Sequence, residues 1–154
     1  MIKISKAKIE HSKDISEIMQ SDLKKYNLNF PKEIIDEFIE HAEIKNIIKE
    51  FENPELIGFV SRNKENITGF IVGYKNNIQK NVMIHYITGT KVEKEELLEK
   101  FIKECKSRNF KKIITDTFEF MDNNDFFKSK QFILTKKEEI APNLEMLWYE
   151  LNLN

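Results

Sequence analysis

The 154-residue sequence holds one cysteine, three prolines, four glycines and one tryptophan. With Cys105 as the only thiol, no disulfide can form within the chain, which points to a reducing compartment. No apolar stretch reaches the length of a membrane span. The opening MIKISKAKIE alternates lysine and isoleucine and lacks the apolar core of a signal peptide. The expectation is a soluble, cytoplasmic chain with no membrane partner. Charge of one sign is also missing: 25 Lys and Arg face 26 Asp and Glu, for a net charge of −1. Electrostatics therefore gives no reason to expect a nucleic-acid partner. The three histidines, His11, His41 and His85, are far apart, and none lies at ligand spacing from a cysteine or another histidine, so no metal is expected. G-x-S-x-G and P-loop patterns are absent. What remains is a hydrophobic fraction of 40% and a charged fraction of 33%. Together with the length, they suit a single domain over residues 1–154.

The chain is organised around Val82 to Arg108. Val82-Met83-Ile84-His85-Tyr86-Ile87 is a short apolar run that predicts a strand buried on both faces. Thr88-Gly89-Thr90 predicts a turn. Beyond it, Leu97, Leu98, Phe101, Ile102 and Cys105 repeat at helical spacing. Thr90-Lys91-Val92-Glu93 has the pattern of a capping box and sets the helix start. Cys105 falls on the apolar face and reads as a buried structural thiol. Before this unit, Ile2 to Ile9 predicts a strand, and Ser12 an N-cap for a helix ending near Asn27. Pro31 opens a second helix, and offset apolar stripes predict a break near Glu43. Leu56–Ser61 and Ile67–Tyr74 predict a hairpin, with 75–81 as a loop. After the central unit come a strand over 112–117, a short helix over 122–130, and strands over 132–137 and 144–151. The order favours an α/β protein with a mixed sheet and helices on both faces.

Three stretches carry a resemblance to the GNAT superfamily of N-acetyltransferases. Ile67-Thr68-Gly69-Phe70-Ile71-Val72-Gly73-Tyr74 is similar to the family's third strand. Leu97 to Phe101, followed by Asn109 to Ile113, is similar to its central helix and the next strand. Phe126 to Phe132 is similar to its F-Y-x-x-x-G-F. The resemblance implies a GNAT-like mixed sheet of six or seven strands with about four helices. The strands at Val82–Ile87 and Lys112–Thr117 should lie side by side, parallel, and splay at their C-terminal ends. It further implies transfer of an acetyl group from acetyl-CoA to a primary amine, on a small molecule or peptide, by direct attack on the thioester. The chain would act as a monomer or homodimer.

On the same resemblance, His85 is the candidate general base, since histidine titrates near neutral pH. A core histidine packed in the sheet is the competing reading. Ile87, Thr88, Gly89, Thr90, Lys91 and Val92, with Asn124 and Phe127, are the candidate residues for the cofactor. The sequence also departs from the family pattern. The family's Q/R-x-x-G-x-G/A interval has Gly89 as its only glycine here, and Glu93, Glu95 and Glu96 place negative charge where a helix end attracts phosphate. Lys91 and Lys94 partly offset that charge. Phe127 stands where the family has a tyrosine, and Gln131 where it has a glycine. These departures keep two other readings open: a GNAT-fold binding module without catalysis, and a structural subunit that pairs through its C-terminal strand.

Overall fold

The computed structural model describes residues Met1–Asn154. The strands are β1 (Ile2–Lys6), β2 (Leu56–Asn63), β3 (Asn66–Asn76), β4 (Asn81–Thr88), β5 (Lys112–Phe118), β6 (Ile133–Ala141) and β7 (Leu144–Asn152). The helices are α1 (Ser12–Lys24), α2 (Lys32–His41), α3 (Ile44–Phe51), α4 (Lys91–Ser107) and α5 (Asp122–Ser129). All seven strands join one sheet in the order β1-β2-β3-β4-β5-β7-β6. β4 and β5, joined through the crossover helix α4, are the one pair of neighbours that run parallel. Every other neighbouring pair is antiparallel.

The sheet carries a core on each face. On one side, Leu97, Leu98, Phe101 and Cys105 of α4 pack on Ile57, Phe59, Ile71, Val82 and Ile84. On the other, Ile15, Met19 and Leu23 of α1, with Ile35 and Ile47, pack on Val60, Phe70, Val72 and Phe118. Burial pushes the Cys105 thiol up to about 12, so this sulfur is inert packing.

Several boundaries differ from the sequence expectation. Residues Ile9–His11 form a single 3-10 turn instead of extending β1. Ser12 is the first residue of α1, not its cap, and its hydroxyl donates to the Ile9 carbonyl at 2.6 Å. The break at Glu43 is complete, so α2 and α3 are separate and the helices number five. β3 reaches Asn76, which shortens the following loop to 77–80. Gln131, at the family's glycine position, has φ +68, a left-handed conformation that explains why glycine suits that site.

β4 is not buried on both faces, because its register slips against β3. Tyr86 faces Val72 while Ile84 faces Gly73, which leaves His85 as the extra residue of a β-bulge. Val82, Ile84 and Ile87 therefore face the α4 core, and Tyr86 packs on the opposite side. Gly73 permits the bulge: a Cβ there would lie 2.5 Å from the Met83 carbonyl oxygen and 2.8 Å from the Phe101 ring. A bulge bends its strand and sharpens the twist. Accordingly, β4 leaves β5 after the pair Ile84–Thr115, while β5 stays paired to β7 as far as Phe118–Met146. The parallel neighbours thus splay at their C-terminal ends and leave a gap between residues 85–88 and 116–118. No helix is long and apolar enough to cross a membrane.

Candidate active site

The gap opens into a cleft of about 320 Å³ that runs through the sheet between the two cores. Met19, Leu23, Phe30 and Phe38 wall it on the α1–α3 side, and Phe127 closes it near α5. Its polar groups are His41, Glu50, His85, Thr115, Asp116, Thr117 and Asn123.

The bulge turns His85 out of the sheet, and its side chain is 49% exposed. The core-histidine reading therefore fails. His85 Nε2 lies 3.8 Å from Glu50 Oε1 of α3, and the Tyr74 ring meets the imidazole edge-on with centroids 5.7 Å apart. The Tyr74 phenol is pushed up by burial and by the neighbouring Glu50 carboxylate. Asp116 projects into the same cleft from β5. Burial pushes its carboxyl up, the Glu138 carboxylate adds to the push, and His85 opposes it.

A carboxyl whose folded-state pKa is raised favours the fold while protonated and costs stability once ionised. Asp116→Asn is therefore expected to raise Tm at pH 7. The gain should shrink as pH falls through the range where the buried carboxyl takes its proton. Thermal melts of parent and variant between pH 4 and 8, on the order of standard working conditions, check this.

Both β4 carbonyls that look into the gap are met by side chains. Thr115 Oγ1 donates to the Ile84 carbonyl at 3.2 Å, and Asn123 Nδ2 donates to the Ile87 carbonyl at 3.0 Å. Asn123 is held in turn by Lys94, whose Nζ donates to its Oδ1 at 2.9 Å and sits 4.8 Å above the Phe126 ring. Burial lowers the Lys94 pKa, opposed by Asp122 and Asp22. Lys94 thus turns inward and does not offset the charge at the helix end. Thr117 Oγ1, also on the cleft wall, is buried and has no partner.

Asn124 points elsewhere. Its Oδ1 accepts from the Tyr149 hydroxyl at 2.5 Å inside the core, and it is 3% exposed. The expectation attached to Asn124 passes to Asn123, since one residue is about 100° of helix. Phe127 is fully buried, with its ring centroid 5.1 Å from that of Phe132. Thr117 and Glu50 were not singled out from the sequence, and of the adjacent pair Asn123 and Asn124 the sequence favoured Asn124. The alternation Thr115-Asp116-Thr117 at a strand end was the one available signal for Thr117.

The turn from β4 into α4 was expected to hold a diphosphate. Ile87 and Thr88 are buried strand residues, Gly89 takes φ +140, and Lys91 and Val92 are exposed on the first turn. The capping box forms: the Glu93 amide donates to Thr90 Oγ1 at 3.2 Å, and the Thr90 amide donates to Glu93 Oε1 at 3.1 Å. Glu93 Oε2 also accepts from Ser61 Oγ at 2.6 Å and from the Thr68 hydroxyl. Burial alone would push this carboxyl up. The hydrogen bonds from Ser61, Thr68 and Thr90 more than offset it and hold the group below the usual carboxylate range.

The helix end thus contains its own anion. The Lys94 amide is also taken, by the Thr90 carbonyl. The surface depression outside carries Glu17, Asp22 and Glu93, and its one lysine, Lys25, is paired to Asp22 at 3.3 Å. A diphosphate here would meet this acidic depression, with Lys91 as the exposed cation of the first turn. Glu95 faces away and pairs with Lys130 at 2.6 Å, so Glu93 and Glu95 have different roles.

No protein-family model matches the sequence, and no curated protein matches it. Solved structures do. The chain is similar to the PaiA N-acetyltransferase from Thermoplasma acidophilum in complex with coenzyme A, with 16% identity, TM-score 0.76, and 98% of this chain and 99% of that one covered. It is similar to an acetyltransferase of the GNAT family from Staphylococcus aureus Mu50, with 19% identity, TM-score 0.77 and both chains covered in full (100% each). It is also similar to the ribosomal-protein-S18-alanine N-acetyltransferase from Escherichia coli, with 13% identity, TM-score 0.78, and 99% of this chain and 94% of that one covered. At these identities the likeness is one of fold.

Proposed function

We propose that this GNAT-fold chain is an N-acyltransferase that brings a thioester and a primary amine together in the gap between β4 and β5. The observation that carries the reading is the gap itself: splayed strands, a buried hydroxyl without a partner, and an imidazole beside two carboxyl groups. The fold's occurrence in a complex with coenzyme A supports a donor of the acyl-CoA type. When bound, such a donor supplies an electrophilic acyl carbon. The chain's own residues do the rest. His85 Nε2 takes the proton of the incoming amine, and Glu50 stabilises the imidazolium that results. Thr117 Oγ1 donates to the acyl oxygen as charge builds on it. The C–N bond forms as the C–S bond breaks, and the sulfur needs one proton. Phe127 has none to give, so the proton gained by His85 is relayed through water.

The donor is held by its arm along residues 87–88 and by Asn123 and Phe127, not by its phosphates on Gly89–Val92. Closure of the α4 end by Glu93 and the phenyl ring of Phe127 favour a second reading, a binding module without catalysis. Release of free thiol from acetyl-CoA over a panel of primary amines separates the two. Amine-dependent release is the expected result. A folded chain that gives none with any amine would support the module.

Thr117→Val replaces the hydroxyl by a methyl of similar shape. Because the hydroxyl has no partner, Tm should hold or rise. Donor turnover should fall by about a hundredfold, the scale of one lost hydrogen bond to developing charge. An unchanged rate would remove Thr117 from the site.

A further inference from the structure

Resting on the reading above, we propose that the acceptor is a small amine with one positive charge on an apolar body, held with its ammonium at Asp116 and Glu50 and its body against Phe30, Phe38 and Met19. All four methionines beyond Met1, namely Met19, Met83, Met121 and Met146, line this one cleft. Methionine is flexible and polarizable, and it fits apolar ligands of varied shape. Phe30 stands edge-on to Phe38 and to Phe118, with centroids 5.2 and 4.9 Å apart, which makes a rigid aromatic wall behind the methionines.

The carboxylates of the cleft are its only fixed charges. The chain has 25 Lys and Arg, yet none lines the cleft. Glu50 and Asp116 do, and no hydrogen bond holds the Asp116 carboxyl. A half-buried carboxyl without a partner favours a cationic ligand, and an ammonium supplies both the charge and the donors it lacks. The ammonium releases one proton to solvent to become the amine that attacks, and that amine gives its next proton to His85.

The same surfaces exclude other amines. A second positive charge along the ligand would fall among phenylalanine and methionine side chains, where it costs far more than it gains. A hydroxyl on the ligand's body would lie against phenylalanine and methionine side chains, which offer it no hydrogen bond. The volume, about 320 Å³ including the space for the acyl end, limits the body to one ring or a short alkyl chain.

Calorimetry with 2-phenylethylamine, ethanolamine and spermidine tests this on the full chain, alongside thiol release from acetyl-CoA with each amine. 2-Phenylethylamine should bind at least about tenfold more tightly than either competitor, the scale of burying one ring. Asp116→Asn should weaken that binding by about tenfold or more, as for truncation of a buried charge pair. Its Tm, expected to rise, would show that the loss is local. Binding with this pattern but no acyl transfer would uphold the amine site and sink the acyltransferase reading. Transfer to ethanolamine or spermidine without binding of 2-phenylethylamine would do the reverse. Binding indifferent to Asp116→Asn, or no binding and no transfer, would overturn the proposal.

Discussion

His85→Ala is expected to lower acyl transfer by about a hundredfold or more, with donor affinity nearly unchanged, which is the usual contribution of a positioned general base. The expectation rests on placement. The bulge puts His85 at the mouth of the gap, half-exposed, 3.8 Å from Glu50 and across the cleft from Asp116. Because the side chain supports no core packing, its loss should leave Tm close to the parent's, and a fall in rate cannot be blamed on unfolding. The loss should appear in kcat as well as in kcat/KM, since the imidazole acts on the proton that leaves the amine during attack. Glu50→Gln should give a smaller loss, at most about fivefold, because it only stabilises the charged imidazole across a long, partly exposed contact. Steady-state kinetics on parent and both variants checks the pair. Full activity in His85→Ala would move the base to Glu50 or to water.

Glu93→Ala is expected to be the most destabilising single change at the site. It removes the capping box at α4 and leaves the hydroxyls of Ser61 and Thr68 without their acceptor. Ser61 is fully buried and Glu93 is 3% exposed, so water cannot take over at the Ser61 hydroxyl, whereas the exposed Thr68 is resolvated. Loss of a cap costs about 1 kcal/mol and an unmet buried polar group about 1–3 kcal/mol. A total near 3 kcal/mol should lower Tm by about 6–12 °C in a domain of this size. The sign with pH is fixed by the depressed carboxyl. Its contribution is present above the unfolded-state pKa and is lost as pH falls through the lower folded-state value. Parent and Glu93→Ala should therefore converge in acid. Melts at pH 7 and at low pH check this, and a Tm difference that is absent at pH 7 would mean that Glu93 is not the anchor of the α4 end. Glu95→Gln serves as the control, since Glu95 reaches only Lys130 on the surface and should shift Tm little.

Much of the frame was legible in the sequence. The apolar run at β4, the capping box and the stripe of Leu97, Leu98, Phe101 and Cys105 predicted the strand–helix unit on which the gap depends. The parallel pairing and the splay followed from the crossover and from the family resemblance. The bulge was not legible, because Val82–Ile87 is apolar nearly throughout and a slip of one residue leaves no trace in its pattern. That slip decides that His85 faces the cleft. Asn123 and Asn124 are adjacent and identical, so only the helix phase separates a residue in the gap from one in the core. Glu93 was read as a misplaced charge facing the phosphates. The chain brings Ser61 and Thr68 to it from strands over twenty residues away, and no local pattern announces them. The Met19-Met83-Met121-Met146 lining likewise comes from four separate segments.

The central claim, that the gap between β4 and β5 is the thioester site, is tested most directly by a crystal structure with coenzyme A. The arm should run between residues 84–88 and 115–118, against Asn123 and Thr117, while Glu93 stays bonded to Ser61 and the phosphates extend past the α4 end without occupying its amides. Coenzyme A bound away from the gap, or with its phosphates on the amides of residues 90–94 and Glu93 displaced, would contradict it.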